Sequence, residues 1–244
     1  MTGSKKNNEV HVQLTDVYKR YSPAVGSHLR NQKTRLVLSE VTIEINKGER
    51  VGLIGSNGAG KTTLLKVIAG ISKISSGKLV VNGRVNSLME LGAGFYPDLT
   101  GRENILLNGM LAGASRKEVR RSMNDIIKFS GIAKFIDYPF YTYSAGMKLR
   151  LAFSVAIHAS PDILLFDEIV AMGDEKFIKT FQDYFSRVLK EKKTVIFATH
   201  VLDVLPLYCN RVIWMDEGKV RMDGETKKVI EKYKKEMKKR KDDS

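Results

Sequence analysis

Apolar and polar residues alternate over two stretches near the start of the chain with the two-residue period of β-strands. Residues 10–17 and 36–45 follow this alternation, which predicts strands with one buried face, the first of them an edge strand. The intervening residues 22–34 are polar and include a proline and a glycine, so we predict a loop there. Short apolar runs predict buried strands at Arg50–Ile54, 163–166 and 195–198.

Two further strand patterns are interrupted by turn residues. Residues 80–85 predict a short strand that contains an Asn82-Gly83 turn signal. Residues 212–215 and 219–222 flank an Asp-Glu-Gly sequence and predict a β-hairpin.

Helical spacing of apolar residues follows the glycine-rich turn after residue 54 and recurs towards the end of the chain. Residues 62–68, 176–189 and about 225–241 have this spacing, and the last of these predicted helices is strongly basic. Its apolar stripe consists of Val229, Tyr233 and Met237.

A helical insert is predicted for roughly residues 95–150. The sequences Thr100-Gly-Arg-Glu103 and Ser115-Arg-Lys-Glu118 are capping boxes, which mark the first turns of helices. After the second box, one helical face carries Val119, Met123, Ile126 and Ile127. Outside this insert strands and helices alternate, which predicts an α/β fold with a mostly parallel sheet, and 244 residues suit a single domain over 1–244.

Composition narrows the class of protein. With 43% hydrophobic and 28% charged residues the chain is typical of globular proteins, and no apolar run approaches the roughly 20 residues of a membrane-crossing helix. We therefore expect no direct membrane spanning, and no secretory signal in the polar N-terminus. The lone Cys209 excludes an intramolecular disulfide. The 41 Lys and Arg against 27 Asp and Glu give a net charge of +14, which favours an anionic partner: a nucleotide, a nucleic acid or an anionic lipid surface.

The glycine-rich turn after residue 54 matches the P-loop pattern, whose glycines let backbone N–H groups surround phosphate oxygens. Lys61 supplies a point charge for the β- and γ-phosphates, the Thr62 hydroxyl is a Mg²⁺ ligand, and Thr63 is a further phosphate candidate. The predicted ATP-binding residues of this turn are Gly55, Ser56, Asn57, Gly58, Ala59, Gly60, Lys61, Thr62 and Thr63.

Acidic residues follow the buried strand at 163–166. Asp167 is placed to act on the magnesium shell, and Glu168, one residue on, is placed to polarise an attacking water as general base. Asp174 closes the next turn. His200 follows the apolar run at 195–198, at the strand end where α/β sheets place their ligands.

These motifs, in this order, resemble the ATP-binding subunits of ABC transporters. The diagnostic segment is Tyr143-Ser-Ala-Gly-Met-Lys148, which is similar to the family's signature motif and precedes the acidic strand. The resemblance implies a P-loop NTPase core with an antiparallel β subdomain and an inserted helical subdomain. It also implies ATP and Mg²⁺ as cofactors and the catalytic pair Glu168 and His200. Further nucleotide contacts are implied for Tyr21, which would stack on adenine, and for Ser144, Gly146 and Asp174.

The sequence departs from the family pattern at three positions. Ala145 and Met147 stand where the signature usually has glycine and glutamine. No glutamine occurs between Gln32 and Gln182, so Glu90 is the nearest counterpart of the glutamine that links the magnesium site to the helical subdomain. A carboxylate at Glu90 can reach Mg²⁺ but repels the γ-phosphate.

Residues 89–105 and 171–175 resemble, more narrowly, exporters of bacterial cell-surface polysaccharides such as O-antigen, capsule or teichoic acid. This implies two copies of the chain that close over two ATP molecules, with Ser144 of each facing the γ-phosphate held by the other. It also implies a separate integral membrane permease, in two copies, at the cytoplasmic face of the bacterial inner membrane.

Two alternatives stay open. The charge of +14 also suits a soluble ABC ATPase that acts on nucleic acid or ribosomes, although the chain has neither the second cassette nor the long coiled-coil insertion of such proteins. We therefore expect no nucleic acid partner. The unusual Glu90 and Met147 are compatible with a nucleotide-binding module without turnover, against which Glu168 and His200 argue.

Overall fold

The computed structural model describes residues 9–22, 34–89, 92–167, 179, 182–186, 191 and 193–242. They belong to two units, the first formed by Met1–Asn82 with Thr194–Ser244 and the second by Gly83–Lys193. The assignment of the whole chain to one domain therefore stays a prediction.

Both units contain strands and helices. In chain order they are β1 (Val10–Tyr21), β2 (Arg35–Asn46), β3 (Arg50–Ile54), α1 (Lys61–Ile68), β4 (Ser76–Val81), β5 (Val85–Ser87), α2 (Gly101–Leu111), α3 (Arg116–Ser130), α4 (Ala145–His158), β6 (Ile163–Asp167), β7 (Thr194–Ala198), α5 (Leu205–Tyr208), β8 (Arg211–Asp216), β9 (Lys219–Glu225) and α6 (Thr226–Asp242).

In the first unit, β1 pairs antiparallel with β2 on one side and β4 on the other. The prediction that β1 is an edge strand is therefore wrong. The alternation correctly indicates one buried face, on which Val12, Leu14 and Val17 are fully buried. The other face is exposed, and a strand in the centre of an antiparallel sheet can have one exposed face. The alternation breaks at Asp16, whose φ of 48° accompanies a register shift against β2.

The parallel strands of the first unit confirm the α/β prediction. β3 pairs in parallel with β7 and with β8, and β9 adds antiparallel to β8. β8 and β9 form the predicted hairpin, with Glu217 and Gly218 at the turn in left-handed conformations. Helix α6 packs on this hairpin through buried Val229 and through Tyr233, whose ring meets Trp214 edge-on at 5.3 Å.

The predicted strand over 80–85 is wrong, because it is two strands in two units. β4 ends at Val81, and the Asn82 N–H still bonds to His11 in the first unit at 2.8 Å. Gly83, with a φ of 113°, then turns the chain, and the Arg84 N–H bonds to the Asp162 carboxylate in the second unit at 2.7 Å. The Asn-Gly turn signal therefore marks a boundary between units.

Helices α2, α3 and α4 of the second unit pack around a shared apolar cluster, as the predicted insert requires. Both capping boxes are present, at the starts of α2 and α3. Val119, Ile126 and Ile127 are buried and Met123 packs against the same cluster. β5 pairs in parallel with β6. Of the predicted helix over 176–189, residues 179 and 182–186 are helical, and the others lie outside the described residues.

Across the part of the chain that the structure describes, no helix is both long and apolar enough to cross a membrane.

Candidate functional site

The turn between β3 and α1 is shaped by glycines that no other residue can replace without strain. Gly55, Gly58 and Gly60 have φ values of 148°, 81° and 101°. A Cβ on Gly55 would collide with the Met215 carbonyl oxygen, and one on Gly60 would lie 2.9 Å from a Leu38 methyl group. The loop is therefore held tightly against β2 and β8.

Lys61 spans this loop from the first turn of α1. The residue is 7% exposed, and its ammonium donates hydrogen bonds to the carbonyl oxygens of Gly55 at 2.8 Å and Ser56 at 3.1 Å. The positive charge of Lys61 is thus fixed inside the loop. Of the two residues that follow, Thr62 is exposed and Thr63 is half-buried.

The loop concentrates hydrogen-bond donors. The backbone N–H groups of Asn57, Gly58 and Gly60 form no hydrogen bond with any residue that the structure describes. They precede the N-terminus of α1, whose first turn carries no acidic residue and whose dipole is positive at this end. Such a loop binds an anion with several oxygens, and a phosphate fits it.

A hairpin turn far along the sequence supports the loop from behind. The Gly218 N–H donates to the Ala59 carbonyl oxygen at 3.1 Å, and the Gly218 carbonyl accepts from the Ser39 N–H at 2.9 Å. The sequence predicts the turn but not this contact. The one sequence signal for this contact is the glycine at position 218, where the backbone has a φ of 77°.

Tyr21 ends β1 beside α1. The residue is 43% exposed, Lys19 Nζ lies 4.6 Å from its ring centroid, and its hydroxyl hydrogen-bonds with Ser72 Oγ at 3.4 Å. This bond with Ser72 and a weaker one with Thr63 lower the pKa of Tyr21, with burial opposing them. The structure therefore brings the predicted adenine-stacking residue next to a predicted phosphate residue.

His200 follows β7 and is exposed. Because β7 and β3 are parallel neighbours, with Ala198 opposite Leu53, His200 and Gly55 leave the sheet at the same edge. The Thr199 N–H bonds to the Leu53 carbonyl at 3.3 Å, which ties the two strand ends together.

In the second unit, Ser144 caps α4. Its hydroxyl accepts a hydrogen bond from the Met147 N–H at 3.2 Å, and Ser144, Ala145 and Gly146 are all exposed. The preceding Tyr143 is buried and anchored by a 2.6 Å hydrogen bond from its hydroxyl to the Phe135 carbonyl. The result is a fixed, exposed helix start without acidic residues in its first turn.

Asp167 ends β6 and is half-buried, after Ile163–Phe166, which are fully buried. The other predicted acids, Glu90, Glu168 and Asp174, lie outside the described residues. Within the described ranges, no group of three or more His, Cys, Asp and Glu side chains could hold a metal ion. A hydroxyl such as Thr62 and a carboxylate such as Asp167 are oxygen donors that fit Mg²⁺, which usually takes its remaining ligands from phosphates and water.

The chain is similar to several known proteins over most of its length. The chain is 48% identical, over 80% of its length, to the O-antigen export system ATP-binding protein RfbB of Myxococcus xanthus, of which it spans 45%. It is 42% identical over 89% of its length to RfbB of Klebsiella pneumoniae, of which it spans 88%. It is also 40% identical over 86% of its length to the teichoic acids export ATP-binding protein TagH of Lactococcus lactis, of which it again spans 45%.

The fold is similar to solved ATP-binding cassettes. An ATP-binding subunit of an ABC transporter matches 91% of the chain with a TM-score of 0.76 at 22% identity. A dimeric cassette in a post-hydrolysis state bound to ADP and Pi matches 88% of the chain with a TM-score of 0.72, also at 22% identity. The family model for ABC transporters matches residues 38–171. With this match and relatives above 40% identity over most of its length, the chain belongs to the ABC transporter family.

Proposed function

We propose that this chain is the ATP-hydrolysing subunit of an ABC transporter that powers export of a lipid-linked cell-surface polysaccharide. The observation that carries the proposal is the loop at Gly55–Thr63. Two carbonyl oxygens hold Lys61 there, and the N–H groups of Asn57, Gly58 and Gly60 have no acceptor among the described residues. This geometry suits the polyphosphate of ATP. The polysaccharide class is supported by the relatives, which are named for O-antigen and teichoic acid export.

Magnesium, when bound, neutralises charge on the β- and γ-phosphates. The proposed oxygen ligands from this chain are the Thr62 hydroxyl and the Asp167 carboxylate, with Glu90 as a further candidate. This donor set is supported by the preference of Mg²⁺ for oxygen.

Hydrolysis requires a water to attack the γ-phosphorus while the bond to the β–γ bridging oxygen breaks. Glu168 is the proposed base that takes the proton of this water, and His200 the proposed partner of the γ-phosphate. Asp174 is assigned with them to the nucleotide site. The role of His200 is supported by its exposed position at the same edge of the sheet as Gly55.

The catalytic unit is proposed to be a homodimer. Ser144 and Gly146 at the exposed start of α4 offer N–H groups and a hydroxyl to an anion, and a second copy would supply that anion as the γ-phosphate of its own ATP. Loss of the γ-phosphate then removes the contacts that bridge the two copies.

The proposed partner is an integral membrane permease in two copies, at the cytoplasmic face of the bacterial inner membrane. The export function in the names of the relatives supports this assignment. Co-purification of the tagged chain from its native cells tests it, because recovery of RNA or ribosomes in place of a membrane protein would favour the soluble ABC ATPase.

Turnover of Mg-ATP by the purified chain tests the enzymatic part. We expect Lys61→Ala to abolish phosphate release and Lys78→Ala, an exposed change on β4, to leave it intact. Glu168→Gln should retain ATP binding, trap an ATP-bound dimer and lose hydrolysis. ATP binding by the wild-type chain without phosphate release would instead support the module without turnover.

A further inference from the structure

Arg35 begins β2 directly opposite Tyr21. The two residues are Cα partners in the antiparallel ladder, and the next pair inward is Leu36 with Arg20. Directly opposed residues project to the same face of a sheet and consecutive residues to opposite faces. Arg35 therefore shares the face of Tyr21, and Arg20 projects to the other.

The Arg35 side chain reaches the phosphate loop. Its Nη2 lies 3.7 Å from the position that a Cβ would take on Gly58, the central glycine of the loop. Gly58 is one of the residues whose N–H has no acceptor among those described. The Arg35 guanidinium thus lies close to the backbone N–H groups that suit a polyphosphate.

Among the residues that the structure describes, no carboxylate pairs with this guanidinium. Arg35 is exposed, and its side chain forms no ion pair or hydrogen bond within the part of the chain that the structure describes. Two cations, Arg35 and Lys61, therefore border one short loop, and their mutual repulsion is relieved when an anion binds there. Guanidinium is well suited to that anion, because its planar fork can bind two phosphate oxygens at once.

We propose that Arg35 is a further nucleotide-binding residue whose guanidinium contacts phosphate oxygens of the nucleotide held by the loop. This inference rests on the proposed function. It assigns Arg35 a role separate from that of Tyr21, since Tyr21 offers a ring to the base and Arg35 offers charge to the phosphates.

Calorimetric titration with Mg-ATP and with Mg-GTP tests the inference. We expect Arg35→Ala to raise the Kd for both nucleotides by a similar factor, about 10-fold or more, which is typical of a lost charge-assisted hydrogen bond. Arg35→Lys, which keeps a cation but loses the fork, should recover part of the affinity. The matched control is Arg20→Ala, which removes the same charge from the opposite face of the same two strands and should bind like the wild-type chain.

Wild-type affinity in Arg35→Ala would overturn the inference while the proposed function stands. A loss confined to ATP, which would place the side chain at the base, would do the same. Equal losses of affinity in Arg35→Ala and Arg20→Ala would show that only the net charge of the chain matters, and would overturn the inference as well. A wild-type chain that binds no nucleotide overturns the proposed function and this inference together. Because Arg35 is exposed, thermal melting of each variant should match the wild type, and the Arg35→Lys result remains decisive if the alanine variant unfolds.

Discussion

The Gly218 N–H donates a hydrogen bond to the Ala59 carbonyl oxygen at 3.1 Å, so the turn of one hairpin holds the phosphate loop from behind. Gly218 has a φ of 77°, and a Cβ there would collide with the Val37 carbonyl oxygen. The same turn therefore contacts β2 and the loop, and its shape depends on the absence of a side chain. Loop geometry and hairpin geometry are coupled through this one residue.

Gly218→Ala should weaken both folding and nucleotide binding. The left-handed backbone alone costs a residue with a Cβ about 1 kcal/mol or more, and the collision adds to that cost. We expect the free energy of unfolding to fall by about 1–3 kcal/mol and the Kd for ATP to rise. Urea unfolding and ATP titration measure the two effects.

Gly70→Ala is the matched control for this change. Gly70 has a similar φ of 73°, but nothing lies within 4 Å of the Cβ position. It should lose stability through backbone strain alone and keep its affinity for ATP. If both variants bind ATP like the wild type, the turn does not hold the loop in the way its hydrogen bond indicates.

Ser144 caps α4 and is also proposed to contact the γ-phosphate of a second copy, and two substitutions separate these roles. Ser144→Ala removes the cap of α4 and should lower the free energy of unfolding by about 1 kcal/mol. Ser144→Asp keeps a good cap, and with it the stability, but places a negative charge where a second copy is proposed to present its γ-phosphate. ATP turnover should therefore fall far more in Ser144→Asp than its stability does.

The equivalent cap of α3 provides the comparison. Ser115 makes the same kind of cap, inside a capping box with Glu118. Ser115→Ala should cost similar stability and Ser115→Asp little, and both should retain turnover. Full ATP turnover in Ser144→Asp would contradict the proposed dimer.

Local features of the site and fold could be predicted from the sequence because their causes are local. The P-loop glycines, both capping boxes and the apolar face of α3 each depend on residues a few positions apart. Contacts between distant segments could not be predicted in this way. The support of Ala59 by Gly218, and the proximity of Arg35 to Gly58, depend on how strands pair, which no spacing rule encodes.

The two incorrect strand predictions have the same physical origin. Alternation in β1 correctly identified its buried face, but a strand's face carries no information about how many neighbours it has. Apolar character on both sides of Asn82-Gly83 suggested one strand, whereas the turn sends the chain into another sheet pairing. In both cases the pattern specified burial, and hydrogen bonding with partners distant in sequence decided the topology.

Tyr21 should contribute to ATP binding through its ring and not through its hydroxyl. Stacking of a base on an aromatic ring is worth about 1–3 kcal/mol, so Tyr21→Ala should raise the Kd for ATP by roughly 5- to 150-fold. Tyr21→Phe keeps the ring and loses only the hydroxyl's hydrogen bonds, with Ser72 at 3.4 Å and with Thr63, and should bind almost like the wild type. Fluorescence or calorimetric titration compares them. A Tyr21→Phe variant as weak as Tyr21→Ala would assign the effect to the hydroxyl.

Cys209 should make the folded chain less stable at high pH. It is 6% exposed, and burial raises the pKa of its thiol to about 12, with Arg50 opposing the shift. In the unfolded chain the thiol titrates near pH 8.5, roughly as in a free peptide. Because the folded-state pKa is the higher one, the thiol's contribution to stability is complete below about pH 8.5 and is lost as the pH rises towards 12, by up to about 1.4 kcal/mol per pH unit.

Comparison with Cys209→Ala isolates this effect from the titration of Lys and Tyr. Urea unfolding at pH 8, 9 and 10 should show a steeper decline for the wild-type chain than for Cys209→Ala, with the gap widening as the pH rises. Alkylation by iodoacetamide gives a second measurement, since the buried thiol should react slowly in the folded chain and quickly in urea. Parallel pH profiles for the two proteins, together with fast alkylation in the absence of urea, would show that the thiol reaches solvent in the folded state.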